Sequence, residues 1–194
     1  MFAGHFGLAA GVKAMAPKVP LWALMVSTQL LDIAFVPLLL TGVESMEPIG
    51  DGGYGESIIH ADYSHSLVGA LVLSLIAGLI AWRVWNRRSA VIIGSVTFSH
   101  WLIDLVVHRS DMPILAGNFG DLPLLGFRLW ELPTVAAILE LALVLVGAIL
   151  YFRSAVARSG GQKVNGAKRF QGYLAGSIMA LLLILAFVSD YFSL

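Results

Sequence analysis

The chain contains no cysteine. That excludes disulfides, thiol catalysis and cysteine-based zinc sites, so any transition metal must be held by His, Asp or Glu. Charge is also scarce. Asp, Glu, Lys and Arg make up 12% of the 194 residues, against about 25% in a soluble domain. Twelve basic and twelve acidic residues cancel to a net charge of zero, which leaves no argument for a nucleic-acid partner. The glycine-rich stretch GDGGYG at 50–55 is not followed by GK[ST], so it reads as a flexible loop rather than a phosphate-cradling one. No internal repeat stands out, although many secondary transporters carry one. The PSGH and KxxxxxxRP patterns of lipid phosphate phosphatases are missing, as is the paired EE of membrane CAAX-type proteases. In MFAGHFGLAAGVKAMAPK, Lys13 and Lys18 follow the apolar part instead of preceding it. That is the wrong order for a signal peptide, and the stretch is expected in the mature protein.

Apolar residues are what the chain has in abundance: 58% of the total, with a mean hydropathy of +0.85. Five segments, near 20–43, 64–86, 90–108, 129–152 and 170–192, are long enough to cross a bilayer, which takes roughly 20 apolar residues. The first 16 residues predict a shorter helix, buried or re-entrant. The expected fold is all-α and integral to the membrane: a compact bundle of five transmembrane helices plus a short N-terminal helix, one domain over 1–194. Pro37 is expected to kink the first span. Lys13, Lys18, Arg83, Arg87, Arg88, Arg153, Arg158, Lys163, Lys168 and Arg169 fall on one side if all five spans cross, and that side is expected to be cytoplasmic. Loop 44–63, with Glu44, Glu47, Asp51 and Glu56, and loop 109–128 then face outward.

Within this apolar background, FSHWLIDLVVH at 98–108 carries His100, Asp104 and His108 at four-residue spacing. Residues four apart share a helix face, about 40° apart in projection. His100 and Asp104 can therefore bind one cation or two adjacent ones, and His108, about 80° from His100, is a weaker member. Asp32 lies deep in the first span. His60 and His65 lie in HADYSHS at the outer entrance of the second, with Ser64 a candidate N-cap. His5 stands eight residues before Lys13, about 12 Å along a helix, which lifts it toward mid-depth. All these side chains can meet between the bilayer middle and the outer face. An ionisable group buried in a membrane needs a partner, and a shared metal ion supplies one. Packing hydrogen bonds, a His100–Asp104 pair or a proton path would also satisfy it. Glu140, in the middle of its span, is a further candidate, and Asp62 is placed to orient His60. Arg109, Asp111, Asp121 and Arg128 could form a rim facing substrate, or an ordinary solvated loop.

The order and spacing of these motifs resemble the YdjM-like inner-membrane proteins, a family of membrane-bound metal-dependent hydrolases. The resemblance covers roughly residues 1–145. It runs through AGHFGLA with His5, LLDIAF with Asp32, HADYSHSL with His60 and His65, FSHWLID with His100 and Asp104, the proline loop DMPILAG, and a later membrane Glu, here Glu140. The family often has D-x-D-H where this chain reads Asp32-Ile33-Ala34-Phe35, so a second Asp and a His are absent and His108 is a local substitute to consider. More distantly, the family is similar to zinc phospholipase C and P1 nuclease, all-helical proteins with clustered zinc. What this implies is a multi-pass inner-membrane hydrolase acting on a phosphoester of a lipid or lipid-linked substrate. His5, Asp32, His60, His65, His100, Asp104 and His108 are then the expected ligands, and Asp32 or Glu140 the general base. The donor set suits Zn²⁺ best, with Mn²⁺ or Fe²⁺ as alternatives. Two rival expectations are a metal-ion or proton-handling transporter and a non-catalytic subunit stapled by its metal.

Overall fold

The computed structural model describes residues 1–50, 53–160 and 166–192. The expected Asp51 and Lys163 lie outside the described residues. Among the described residues seven α-helices dominate: α1 (Phe2–Met15), α2 (Leu21–Thr28), α3 (Leu30–Leu40), α4 (Leu67–Val84), α5 (Arg87–Val107), α6 (Pro133–Ser159) and α7 (Gly166–Tyr191). Between α3 and α4, where the sequence predicts a loop, lies a hairpin, β1 (Ser45–Pro48) paired antiparallel with β2 (Ser57–His60). Among the described residues, helices α4, α5, α6 and α7 are each long and apolar enough to cross a membrane, and α2 with α3, bent by 49° at their break, is a fifth if the pair forms one span.

Polarity runs inside out. Leu71, Leu75, Ile76, Leu79 and Ile80 of α4 and Leu181, Leu182 and Leu185 of α7 are exposed, while His5, His100, Asp104 and Glu140 are buried. Water would penalise such an apolar surface, whereas lipid tails solvate it. Helix starts follow local chemistry. Ser66 caps α4 by accepting from Gly69 N, Asn86 caps α5 by accepting from Ser89 N, and Pro133 opens α6. Ser64 is therefore not the cap; the helix begins after Ser66, where Leu67 N donates to Pro113 O.

The bend of the first span falls at Gln29, not at Pro37, which sits inside α3. Tertiary bonds fix its place. Gln29 Nε2 donates to Phe2 O and Thr28 Oγ1 donates to His5 O, so the break is stitched to α1. That helix is short but deeply embedded along α6. A Cβ on Gly147 of α6 would lie 1.9 Å from Gly7 O, so the two backbones touch, as small residues permit between membrane helices. This contact seats His5 inside the bundle.

Candidate metal centre

His100 and Asp104 lie one turn apart on the inward face of α5, with His100 Nε2 2.9 Å from Asp104 Oδ2. His100 Nδ1 donates to Thr28 O at 2.6 Å. In an unbroken helix that carbonyl would accept from the N–H of residue 32; the break at Gln29 frees it for the imidazole. Since a carbonyl only accepts, the Nδ1 proton is fixed and Nε2 turns toward the cluster, the arrangement expected of a metal-ligating histidine.

His65 is oriented the same way by different partners. Its Nδ1 lies 2.8 Å from Ser64 Oγ, which lies 2.9 Å from Glu44 Oε2. Glu44 is buried and also accepts from the backbone N–H groups of Tyr63 and Ser64, both at 2.8 Å. A carboxylate accepts, so the Ser64 hydroxyl donates to Glu44 and in turn accepts from His65 Nδ1–H. Nε2 of His65 is left facing inward, 3.3 Å from His100 Nε2, 3.4 Å from Asp32 Oδ1 and 3.6 Å from Asp104 Oδ2. Asp32 Oδ1 is also 3.6 Å from His100 Nε2. On the far side, His5 Nε2 meets Asp104 Oδ1 at 3.1 Å, and its ring stacks on His100 at 3.8 Å. His5 Nδ1 is buried without a hydrogen-bond partner among the described residues.

Five acceptor-bearing side chains thus converge from α1, α3, the turn before α4, and α5. Lone pairs pointed at one another repel unless protons or a cation lie between them. Ligands about 2.0–2.1 Å from a tetrahedral ion are about 3.3 Å from one another, and the separations of 2.9–3.6 Å around His65 and His100 bracket that edge. Two overlapping triads able to hold a cation result, Asp32–His65–His100 and His5–His100–Asp104. The two carboxylates also match a divalent charge, which reduces the cost of burying them. The residues fit a metal ion on distance, charge and tautomer.

The other candidates lie elsewhere. His108 Nδ1 contacts Asp111 Oδ1 at 3.0 Å and its ring packs on Trp130; it borders the cavity above the cluster but belongs to neither triad. His60 sits on β2, half-exposed and 3.7 Å from Glu47 rather than beside Asp62. Glu140 is fully buried, accepting from Gly4 N at 2.9 Å and from Tyr54 Oη at 2.6 Å. Burial, and then the bond to Glu140, raise the Tyr54 phenol above its ordinary pKa, so Tyr54 keeps its proton. Arg109 and Arg128 both pair with Glu131. Neither borders the cavity, so of the two readings of this loop the substrate-facing rim is not formed by these arginines. Glu44 and Ser64 are the functional residues that sequence reasoning did not single out for this role.

A cavity of 690 Å³ opens over the cluster, walled by Phe35, Val36, Tyr54, Trp130, Ala186 and Asp190. Asp32 is the most exposed member of the cluster, its side chain 34% accessible, and it faces this space. No family model matches the chain, and no curated protein or solved structure does either. What the fold and cluster define is a multi-span helical membrane protein with a buried His/Asp cluster able to chelate a metal ion.

Proposed function

We propose that the protein is a membrane-embedded, metal-dependent hydrolase acting on a phosphoester of a lipid or lipid-linked substrate. The observation that carries this reading is Asp32, the more accessible of the two cluster carboxylates that line a cavity large enough for a substrate headgroup. A structural staple has no use for an accessible edge, whereas catalytic sites keep one position open. His65, His100 and Asp104 would hold the ion. Its donor set favours Zn²⁺, with Mn²⁺ or Fe²⁺ as alternatives. When bound, a divalent ion polarises phosphoryl oxygens and makes water a nucleophile near neutral pH. Asp32 acts as general base, its oxygen accepting the proton of the attacking water. His5 orients Asp104 through Oδ1. Glu140 does not line the cavity; it holds the proton of the Tyr54 hydroxyl, which leaves that oxygen as an acceptor on the substrate side. Among the described residues no Lys or Arg borders the cavity, so phosphate charge would be met by the bound cation.

The membrane is read as the cell's inner membrane, with the basic end cytoplasmic. Met15, Arg87 and Arg88 share that end. His100 and Asp104 lie 13 and 17 residues beyond Arg87, roughly 20–25 Å along α5, past the middle of a ~30 Å core. The site then lies in the outer half. The test is hydrolysis in detergent micelles, read as inorganic phosphate released from lipid phosphates and as phosphomonoester plus alcohol formed from phospholipids. Wild type should hydrolyse at least one of these substrates, and His100→Ala and Asp32→Asn should lose that activity at least ~100-fold while remaining folded. Metal uptake into vesicles that depends on Asp104, with no hydrolysis of either substrate, would instead establish the transport reading.

A further inference from the structure

A second feature lies on the outside of the bundle, away from the metal cluster. Helices α1, α5 and α6 leave between them an apolar trough of 510 Å³, lined by Leu8, Val12, Ser95, Ser99, Val146 and Leu150 among others. Val12, Met15, Val91 and Ile92 also line a second hollow of 720 Å³, together with Arg87 and Arg88. Sharing these residues, the two hollows adjoin on one side of α1 and α5 as an open surface channel. It is apolar along its length and carries two cations at one end.

Three observations bear on what fills it. First, Arg87 and Arg88 are exposed and make no ion pair with any described residue. Nearby, Lys13 is committed to Pro17 O and Val19 O, and Arg158 to Ser154 Oγ. The two arginines also stand on the first turn of the 21-residue α5, where the helix dipole favours an anion. Second, the channel runs along α5 from Arg88 to Ser99. Eleven residues at 1.5 Å make about 16 Å, close to the ~15 Å depth of one leaflet of a ~30 Å hydrocarbon core. Third, the trough is left open where packing does not require it. Gly7 and Gly147 are forced by backbone contact, but a Cβ on Gly11 would meet only ordinary van der Waals neighbours, Leu150 Cδ1 at 3.6 Å and Gly147 Cα at 3.8 Å.

We propose that this channel is a binding site for one anionic phospholipid of the leaflet at the basic end. One acyl chain lies in the trough between α1, α5 and α6, and the phosphate is held by Arg87 and Arg88. Juxtamembrane Lys and Arg attract anionic headgroups in this way. The apolar trough adds a chain-length contact that a free phosphate cannot use. The site is independent of the metal cluster and of the hydrolytic reading.

Native mass spectrometry of the delipidated full-length protein in detergent tests it, using phosphatidylglycerol and phosphatidylcholine with identical chains. One phosphatidylglycerol should be retained at concentrations roughly 10- to 30-fold below those needed for phosphatidylcholine, the discrimination two interfacial cations supply. Arg87→Gln/Arg88→Gln should abolish the discrimination. Gly11→Leu/Ser95→Phe should reduce retention of both lipids, with each variant eluting as wild type. Equal retention of the two lipids by wild type overturns the proposal. So does full competition by millimolar inorganic phosphate, which would mark an anion site without a chain. Protein dimers that form through the trough and exclude lipid would overturn it as well.

Discussion

Burying an imidazole or a carboxylate in a membrane helix is costly, and the cluster shows how the cost is met one atom at a time. The Nδ1 protons of His100 and His65 go to Thr28 O and Ser64 Oγ, leaving both Nε2 atoms turned inward. Outer hydrogen bonds of this kind typically change metal affinity 10–100-fold. Ser64→Ala and Glu44→Gln should each weaken binding by about that factor, measured by isothermal titration with Zn²⁺, while His60→Ala leaves it unchanged. Five residues of the cluster were legible beforehand because an ionisable group inside an apolar run demands a partner. Glu44 was not, since an acid in a polar loop demands nothing until the fold buries it. His60 was drawn in by its closeness to His65 in HADYSHS, but β2 ends at His60, and the turn that follows parts the two.

At the scale of elements, a broken helix and a short one do the positioning. The break at Gln29 frees the Thr28 carbonyl, and the Gly7–Gly147 contact lets α1 sink deep enough to deliver His5. Gly147→Leu forces side-chain carbons into the Gly7 backbone. Overpacking typically costs about 1–3 kcal/mol, so this variant should lower the melting temperature and weaken metal binding together, read by thermal unfolding with and without Zn²⁺. Tyr54→Phe removes a hydroxyl that donates to Glu140. Leaving a buried carboxylate oxygen short of a donor costs about 1–3 kcal/mol, so stability should fall while metal stoichiometry holds. Helix number and length were readable because a span needs a run of apolar residues. The place of the bend was not. Pro37 was the visible signal, but Gln29 and Thr28 bonding to α1 decide where the helix parts, and those partners lie more than 20 residues away.

Across the whole molecule, lipid replaces water as the solvent of the outer face, and polar chemistry moves to the middle. The cluster links α1, α3, α5 and the turn before α4, so an ion held there acts as a cross-link between elements that share only limited direct packing. Ligand linkage gives about 2.7 kcal/mol of stabilisation at 100 times the dissociation constant. Chelation should therefore lower the melting temperature of wild type and leave that of His100→Ala unmoved. The bundle and its inside-out polarity were evident from composition; the hairpin was not, because four-residue strands in a polar loop give no periodic signal. Metal content tests the central claim most directly. Elemental analysis of the purified wild-type protein should find a divalent transition metal in stoichiometric amount, and His65→Ala, His100→Ala and Asp104→Ala, folded as wild type, should lose it. A wild-type protein that stays metal-free after reconstitution, or a His100→Ala variant that holds as much metal as wild type, would contradict the account.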